Sequence, residues 1–328
     1  MRSKVNGKFI LLFAFVFTLA FSSAAQTSPV TKENEELRKL RSEVVTNYDE
    51  GQYDEALHLA QLALALSIKL QGEEGRDTAA SYFNIGKILK AQKQNKTAIE
   101  NFERSLAIHQ KKFPEDKKML LAIYGDLGFL NYLEKNKAEA EKYFIIAVKL
   151  SEELNGAESK ETLSYLDNLG TFYEAIKEPV KAEPYLWRAV KLSNKLYGRD
   201  DPRAENMGDH YSCFLNTNHN DEIKKLIAER SKDDAVDRQR GNIRSVINGK
   251  AKNLGKPVYP YNYNGPRGQV MVRVTIGIFG TILKAKAYCG PQALWDVSER
   301  AARISTFSAT TLDGKPVEVT GIIVYNYQ

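Results

Sequence analysis

The residues of this 328-residue chain with the widest chemical reach are four histidines, His58, His109, His210 and His219, and two cysteines, Cys213 and Cys289. A zinc peptidase would need two histidines a helical turn apart in HExxH. A thiol oxidoreductase would need CxxC, and a serine hydrolase GxSxG. None of these spacings occurs, and no glycine-rich phosphate loop is present. His210, with Asp209 and His219, is the one grouping that could ligate a metal, and it is read instead as a set of exposed residues near the end of a helical segment. The expectation is a chain that is not an enzyme and takes no metal or cofactor. The two cysteines lie in different parts of the sequence. A disulfide between them is one possibility, and two separate thiols is the reading adopted.

The formal charge of +6 raises the question of nucleic acid. Arg2, Lys4 and Lys8 supply three of those charges ahead of Phe9–Phe21, an uncharged apolar run of 13 residues followed by small residues. This pattern predicts a signal peptide over residues 1–25, cleaved before Gln26. The run is shorter than the roughly 20 residues an ordinary spanning helix needs. Cleavage leaves a formal charge of +3 on a chain whose acids and bases are interleaved, which argues against a nucleic-acid partner.

The elements that must position any site repeat. Ala56, Ala98, Ala140 and Ala182 stand at steps of 42, as do Ala63, Ser105, Ala147 and Ala189, and Gly86, Gly128 and Gly170 keep the same step. Small residues let paired helices approach, and apolar residues at helical spacing beside them fill the interface. Each unit is therefore a helix pair that buries its apolar face only by stacking on the next. The first unit has Val44 at the glycine position. A degraded fifth has Ser212 there and Ile223 near the alanine.

This pattern resembles the tetratricopeptide repeat family in the 42-residue form found in kinesin light chains, over about residues 36 to 230. The resemblance implies that extended peptides or partner helices bind on the concave face formed by the first helix of each unit. It also implies that Asn84, Asp126 and Asn168 face that groove. An amide there can both donate to and accept from a peptide backbone.

Beyond a polar connector, residues 231–247, the period changes from helical to alternating. Val270, Val272, Val274 and Ile276 read as one face of a strand. Leu283, Ala285, Ala287 and Cys289 read as one face of the next, and the two strands form a hairpin. A helix follows with Leu294, Val297, Ala301 and Ile304 along one face, then a turn at LDGKP and a last strand. The fold class is thus an α-helical solenoid followed by a small α+β domain, residues 248–328, in the order β-hairpin, helix, strand. This domain resembles the C-terminal domain of the TonB family at Tyr259-Pro260, Gly268, Gly280, the helix over 294–302, Phe307 and Gly314-Lys315-Pro316-Val317.

The TonB resemblance implies a periplasmic domain that binds a segment of an outer-membrane transporter or other envelope protein by adding a strand to its sheet. The receiving edge would be Val319, Thr320, Gly321, Ile322, Ile323, Val324 and Tyr325. The expected function is a periplasmic adaptor for proteins or peptides, touching a membrane only if its N-terminal segment stays uncleaved. The alternative is an energy transducer anchored in the inner membrane by residues 9–21 and facing the periplasm. A cleavable leader and the lack of a proline-rich spacer favour the adaptor.

Overall fold

The computed structural model describes residues 29–199, 201–218, 221–228, 246–247 and 250–328. The leader over 1–25, most of the connector and His219 lie outside them. The chain forms two compact units, one ending at Ser81 and the other running from Tyr82 to Gln328. In the first, α1 (Pro29–Asp49) pairs with α2 (Tyr53–Gln71) across Gly51, whose φ of 76° makes the turn. Leu37 and Val44 of α1 and Ala56, Ala60 and Ala63 of α2 are buried. Val44 therefore fills a position that glycine holds in later repeats. Helix α3 (Arg76–Ala91) begins in this unit and ends in the next.

The second unit continues with α4 (Asn95–Lys112), α5 (Lys117–Leu133), α6 (Lys137–Asn155), α7 (Lys160–Ala175), α8 (Pro179–Tyr197) and α9 (Pro202–Thr217). Residues 221–228 form α10. The turn inside each helix pair repeats too, since Lys93, Lys135 and Lys177 all take φ between 62° and 66°. The glycines explain the tight pairing. A Cβ on Gly86 would lie 3.0 Å from the Phe102 ring, one on Gly128 would lie 2.9 Å from Phe144, and one on Gly170 would lie 2.6 Å from Leu186. Ala98, Ala140, Ala182, Ala147 and Ala189 are wholly buried at the same crossings. Asp116, Ser159 and Asp201 cap the helices that they start, the Ser159 hydroxyl accepting from Thr162 N–H at 3.0 Å. The fifth unit closes the array with Phe214 and Ile223 in its core.

The remaining chain forms a sheet domain. Its centre is an antiparallel sheet in the order β4-β3-β8, made of β3 (Gly268–Ile276), β4 (Ile282–Cys289) and β8 (Val319–Tyr327). A 3-10 turn, Gln292–Leu294, leads into α11 (Trp295–Arg303), which packs on β4 and β3. Val270, Val272, Val274 and Ile276 meet Leu294, Val297 and Ala301 in one core, as the alternating pattern predicts. Five short strands trim the domain. β1 (Val246–Ile247) and β7 (Lys315–Val317) flank β6 (Thr310–Leu312), and β2 (Ala251–Asn253) pairs with β5 (Thr306–Phe307). The last strand is thus two, β7 and β8, and Asp313-Gly314 makes the turn into β7 with φ of 51° and 78°.

Three expectations are corrected. Leu283 is exposed, because a register shift between Thr275 and Ile276 pairs those residues with Lys284 and Ile282 and leaves Leu283 as the extra residue. Ile304 is exposed because α11 stops at Arg303, ahead of it. Cys213 and Cys289 are not separate thiols but form a disulfide, with Cα atoms 5.3 Å apart. A second shift, between Met271 and Val272, makes Tyr288 the extra residue and sets Cys289 opposite Met271. That turns Cys289 from the face of Ala285 and Ala287 toward α9.

Candidate functional site

Two surfaces of the second unit correspond to the expected binding sites. The first is a concavity of about 800 Å³ on the helices that open successive repeats. Phe83 and Lys90 reach it from α3, Gly125, Asp126 and Phe129 from α5, and Tyr165, Asn168 and Phe172 from α7. Residues three and four apart on a helix share a face, so each helix presents a short stripe to this groove. Gly125 leaves room for the Tyr165 ring, which would lie 3.1 Å from a Cβ placed there. Burial pushes the Tyr165 phenol up, so it enters the groove as a neutral hydrogen-bonding group.

Asp126 and Asn168 line this groove, whereas Asn84, half-buried, is not among its lining residues. Asn168 is exposed and free to serve a peptide amide. Asp126 is already engaged, its carboxylate paired with Lys90 from the preceding repeat. At the α7 end, Asp167 turns toward His210 of α9, 3.8 Å away, and Glu174 accepts from His210 Nε2 at 2.8 Å. The hydrogen bond to Glu174 raises His210 above its ordinary value, and burial raises Asp167. His210 is therefore a half-buried seam residue, a correction to its reading as exposed. Among the described residues, no group of three or more His, Cys, Asp and Glu could hold a metal.

The second surface is the β8 edge. β8 pairs with β3 through nine consecutive residues without a register shift, and its other side has no strand beside it among the described residues. Val319 to Tyr325 all lie on this edge, with Ile323 and Tyr325 turned into the core and Ile322 and Val324 outward and exposed. No charge or proline interrupts it, although these are the usual guards of an open edge. The residues singled out in the sequence of this domain brace its surroundings. Tyr259 donates to the Gln328 carbonyl at 2.9 Å and rests edge-on against Tyr327. Pro260 O accepts from Tyr263 N–H, and Gly268 opens β3. Gly280, with φ 80°, accepts from Phe307 N–H at 2.8 Å, and Pro316 sits opposite Thr311 in the β6–β7 hairpin.

The two surfaces belong to one body, because α9 packs on the face of the sheet away from α11. Arg273 of β3 pairs with Asp209 at 2.5 Å and Glu205 at 2.7 Å, and Lys286 donates to Asn206 at 3.1 Å. Burial pushes the Asp209 carboxyl up, with Arg273 opposing, and pushes the Tyr288 phenol up to about 12. The disulfide closes this interface. Sequence reasoning misses it because strict alternation puts Cys289 on the opposite face.

Family models described as tetratricopeptide repeat match residues 45–111 and 162–203. The helical region is built of tetratricopeptide repeats. Among solved structures, the chain is similar to a Podosopora anserina protein described as a putative kinesin light chain with nearly identical TPR-like repeats. Identity is 20% and the TM-score 0.51, over 63% of this chain and 98% of that one. It is also similar to BtubC (BKLC) from P. vanneervenii, at 18% identity and a TM-score of 0.50, over 67% of this chain and 93% of that one. At these identities the likeness is one of fold. A search of curated protein sequences gave no match.

Proposed function

We propose that this protein is an exported adaptor of the periplasm. It holds one protein or peptide in the repeat groove and docks an extended segment of another on β8, in the manner of the TonB-family domains its C-terminal sequence resembles. On this reading it binds rather than catalyses, and takes no cofactor. The proposal rests on one observation: an aromatic groove and an unguarded nine-residue sheet edge are carried in a single compact unit whose parts are joined by a disulfide. Strand addition satisfies the open backbone groups of both chains, each new hydrogen bond contributing about 1 kcal/mol net. A disulfide suits an oxidising compartment, which supports export. The partner on β8 would be an envelope protein such as an outer-membrane transporter.

Photo-cross-linkers at Thr320 and Ile322 test the docking mode, and an extended partner segment should be captured there. Capture only from the α11 face, for example from Arg300, would contradict strand addition. The mass of the mature N-terminus tests export, with a start at Gln26 expected. Intact Met1 in the membrane fraction would favour the anchored transducer instead.

A further inference from the structure

Away from the groove and the β8 edge, five of the eight large apolar side chains that the sheet domain leaves in water gather at one end, the others being Val258, Tyr259 and Tyr261 in the stretch that leads into β3. The β3–β4 turn carries Ile278 and Phe279 outward, Phe279 being 83% exposed. Leu283, 53% exposed, lies over Gly277 at the base of that turn. Gly280 is bonded to Phe307, Thr281 bridges Thr306, and these two residues of β5 pair with Ala251 and Asn253 of β2. That succession of contacts brings Leu254, 49% exposed, and Ile304, 65% exposed, to the same end, with Ile304 packed at Gly255. Scattered apolar exposure needs no explanation, but five such side chains at one end of a small domain do.

The charge around them is mainly positive, with Glu318, next to Val319 at the base of the turn, the acid nearest to it along the strands. Residues 246–328 hold ten Lys and Arg against four Asp and Glu. Of those acids, Asp296 and Glu299 are paired with Arg300 and Arg303 along α11. Lys250, Lys252 and Lys256 flank or belong to β2, and Lys284 follows Leu283 on β4. All four are exposed and make no ion pair among the described residues. An apolar tip within a collar of lysines matches the two layers of an anionic bilayer surface. Aliphatic and aromatic side chains enter the boundary between headgroups and acyl chains, and ammonium groups meet lipid phosphates.

We propose that this end of the domain seats on an anionic lipid surface, with Ile278 and Phe279 inserted and Lys250, Lys252, Lys256 and Lys284 on the headgroups. The contact is separate from residues 9–21 and does not depend on what the groove or the β8 edge binds. Tyr259 and Tyr327 stand at the other end of β3 and β8, so the seated domain keeps that end in water.

The test uses the full chain carrying Phe279→Trp and, as a second variant, Tyr261→Trp, a position 96% exposed that lies in the Tyr259–Tyr263 stretch at the far end. Each is mixed with vesicles of brominated phosphatidylcholine and phosphatidylglycerol, and the signal of the parent chain's Trp187 and Trp295 is subtracted. In the Phe279→Trp chain the added indole's emission should shift to the blue and be quenched by the acyl bromines. In the Tyr261→Trp chain it should stay unchanged. Charge reversal at Lys252, Lys256 and Lys284 should weaken the Phe279→Trp response at least about tenfold, as should raising the salt to about 0.5 M. Equal quenching in the Tyr261→Trp chain would mean tethering by the N-terminal segment and would overturn the proposal. So would an indole at the turn that stays in water, one indifferent to the charge reversals, or one that responds to a protein ligand and not to vesicles. All substituted side chains are exposed, and near-ultraviolet circular dichroism checks that the fold is kept.

Discussion

In the repeat helices each buried glycine of the second unit faces a side chain sixteen residues further on, Gly86 at Phe102, Gly128 at Phe144 and Gly170 at Leu186. In the sheet domain the three tightest glycines, Gly255, Gly280 and Gly290, face backbone instead. A Cβ on Gly280 would lie 1.9 Å from the Phe307 carbonyl oxygen, and one on Gly290 would lie 1.9 Å from that of Gln269. A side chain can shift by a few tenths of an ångström, whereas a hydrogen-bonded carbonyl cannot move without breaking its strand. The helical region thus tolerates local change one seam at a time, and the sheet domain stands or falls on a few long-range approaches.

The strongest way to break that contrast is Gly280→Val. It adds a clash with Phe307 to a positive φ and should destabilise the sheet domain by more than about 4 kcal/mol. Urea unfolding followed by a probe in each region should show the sheet domain melting first. Reduction of Cys213–Cys289 comes next. The cross-link spans 76 residues, and loop-closure entropy sets its contribution at about 4 kcal/mol. Denaturant midpoints with and without a dithiol would measure it, and α9 with β4 should lose amide protection while α5 and α6 keep theirs.

Arg273→Met removes the cation paired with the buried Asp209 carboxyl and should cost about 3 kcal/mol, read from denaturant midpoints. Gly128→Ala asks only that the Phe144 ring give way, and about 1–2 kcal/mol is expected. A loss as large as that of Gly280→Val would erase the distinction between the two regions. The smallest effect belongs to His210. Its hydrogen bond to Glu174 raises the folded-state value above the ordinary 6.5. The charged form therefore stabilises the fold fully below about pH 6.5, and the contribution is lost as pH rises through the raised value. The melting-temperature gap between the parent chain and His210→Gln should close over that window.

The same difference decides what can be read from sequence. Ala98, Ala140 and Ala182 announce themselves because a helical repeat writes its packing into a fixed local step. β3 is legible because its alternation runs unbroken from Val270 to Ile276. Leu283 and Cys289 are misread because each lies at a register shift, and where a shift falls depends on a partner strand, not on the local pattern. Of the groove residues, Asn168 has the exposure its position implies. Asp126 is occupied by Lys90, a contact between repeats that no single unit reveals.

The ion pairs between repeats have one further consequence. In the second unit Lys90–Asp126, Arg188–Glu152 and His210–Glu174 all join residues 36 apart, six short of the period. Most of these groups are partly exposed, so each pair contributes little by itself and weakens with salt. Because they recur at one separation, they weaken together, so the seams between repeats respond to the ionic strength in concert.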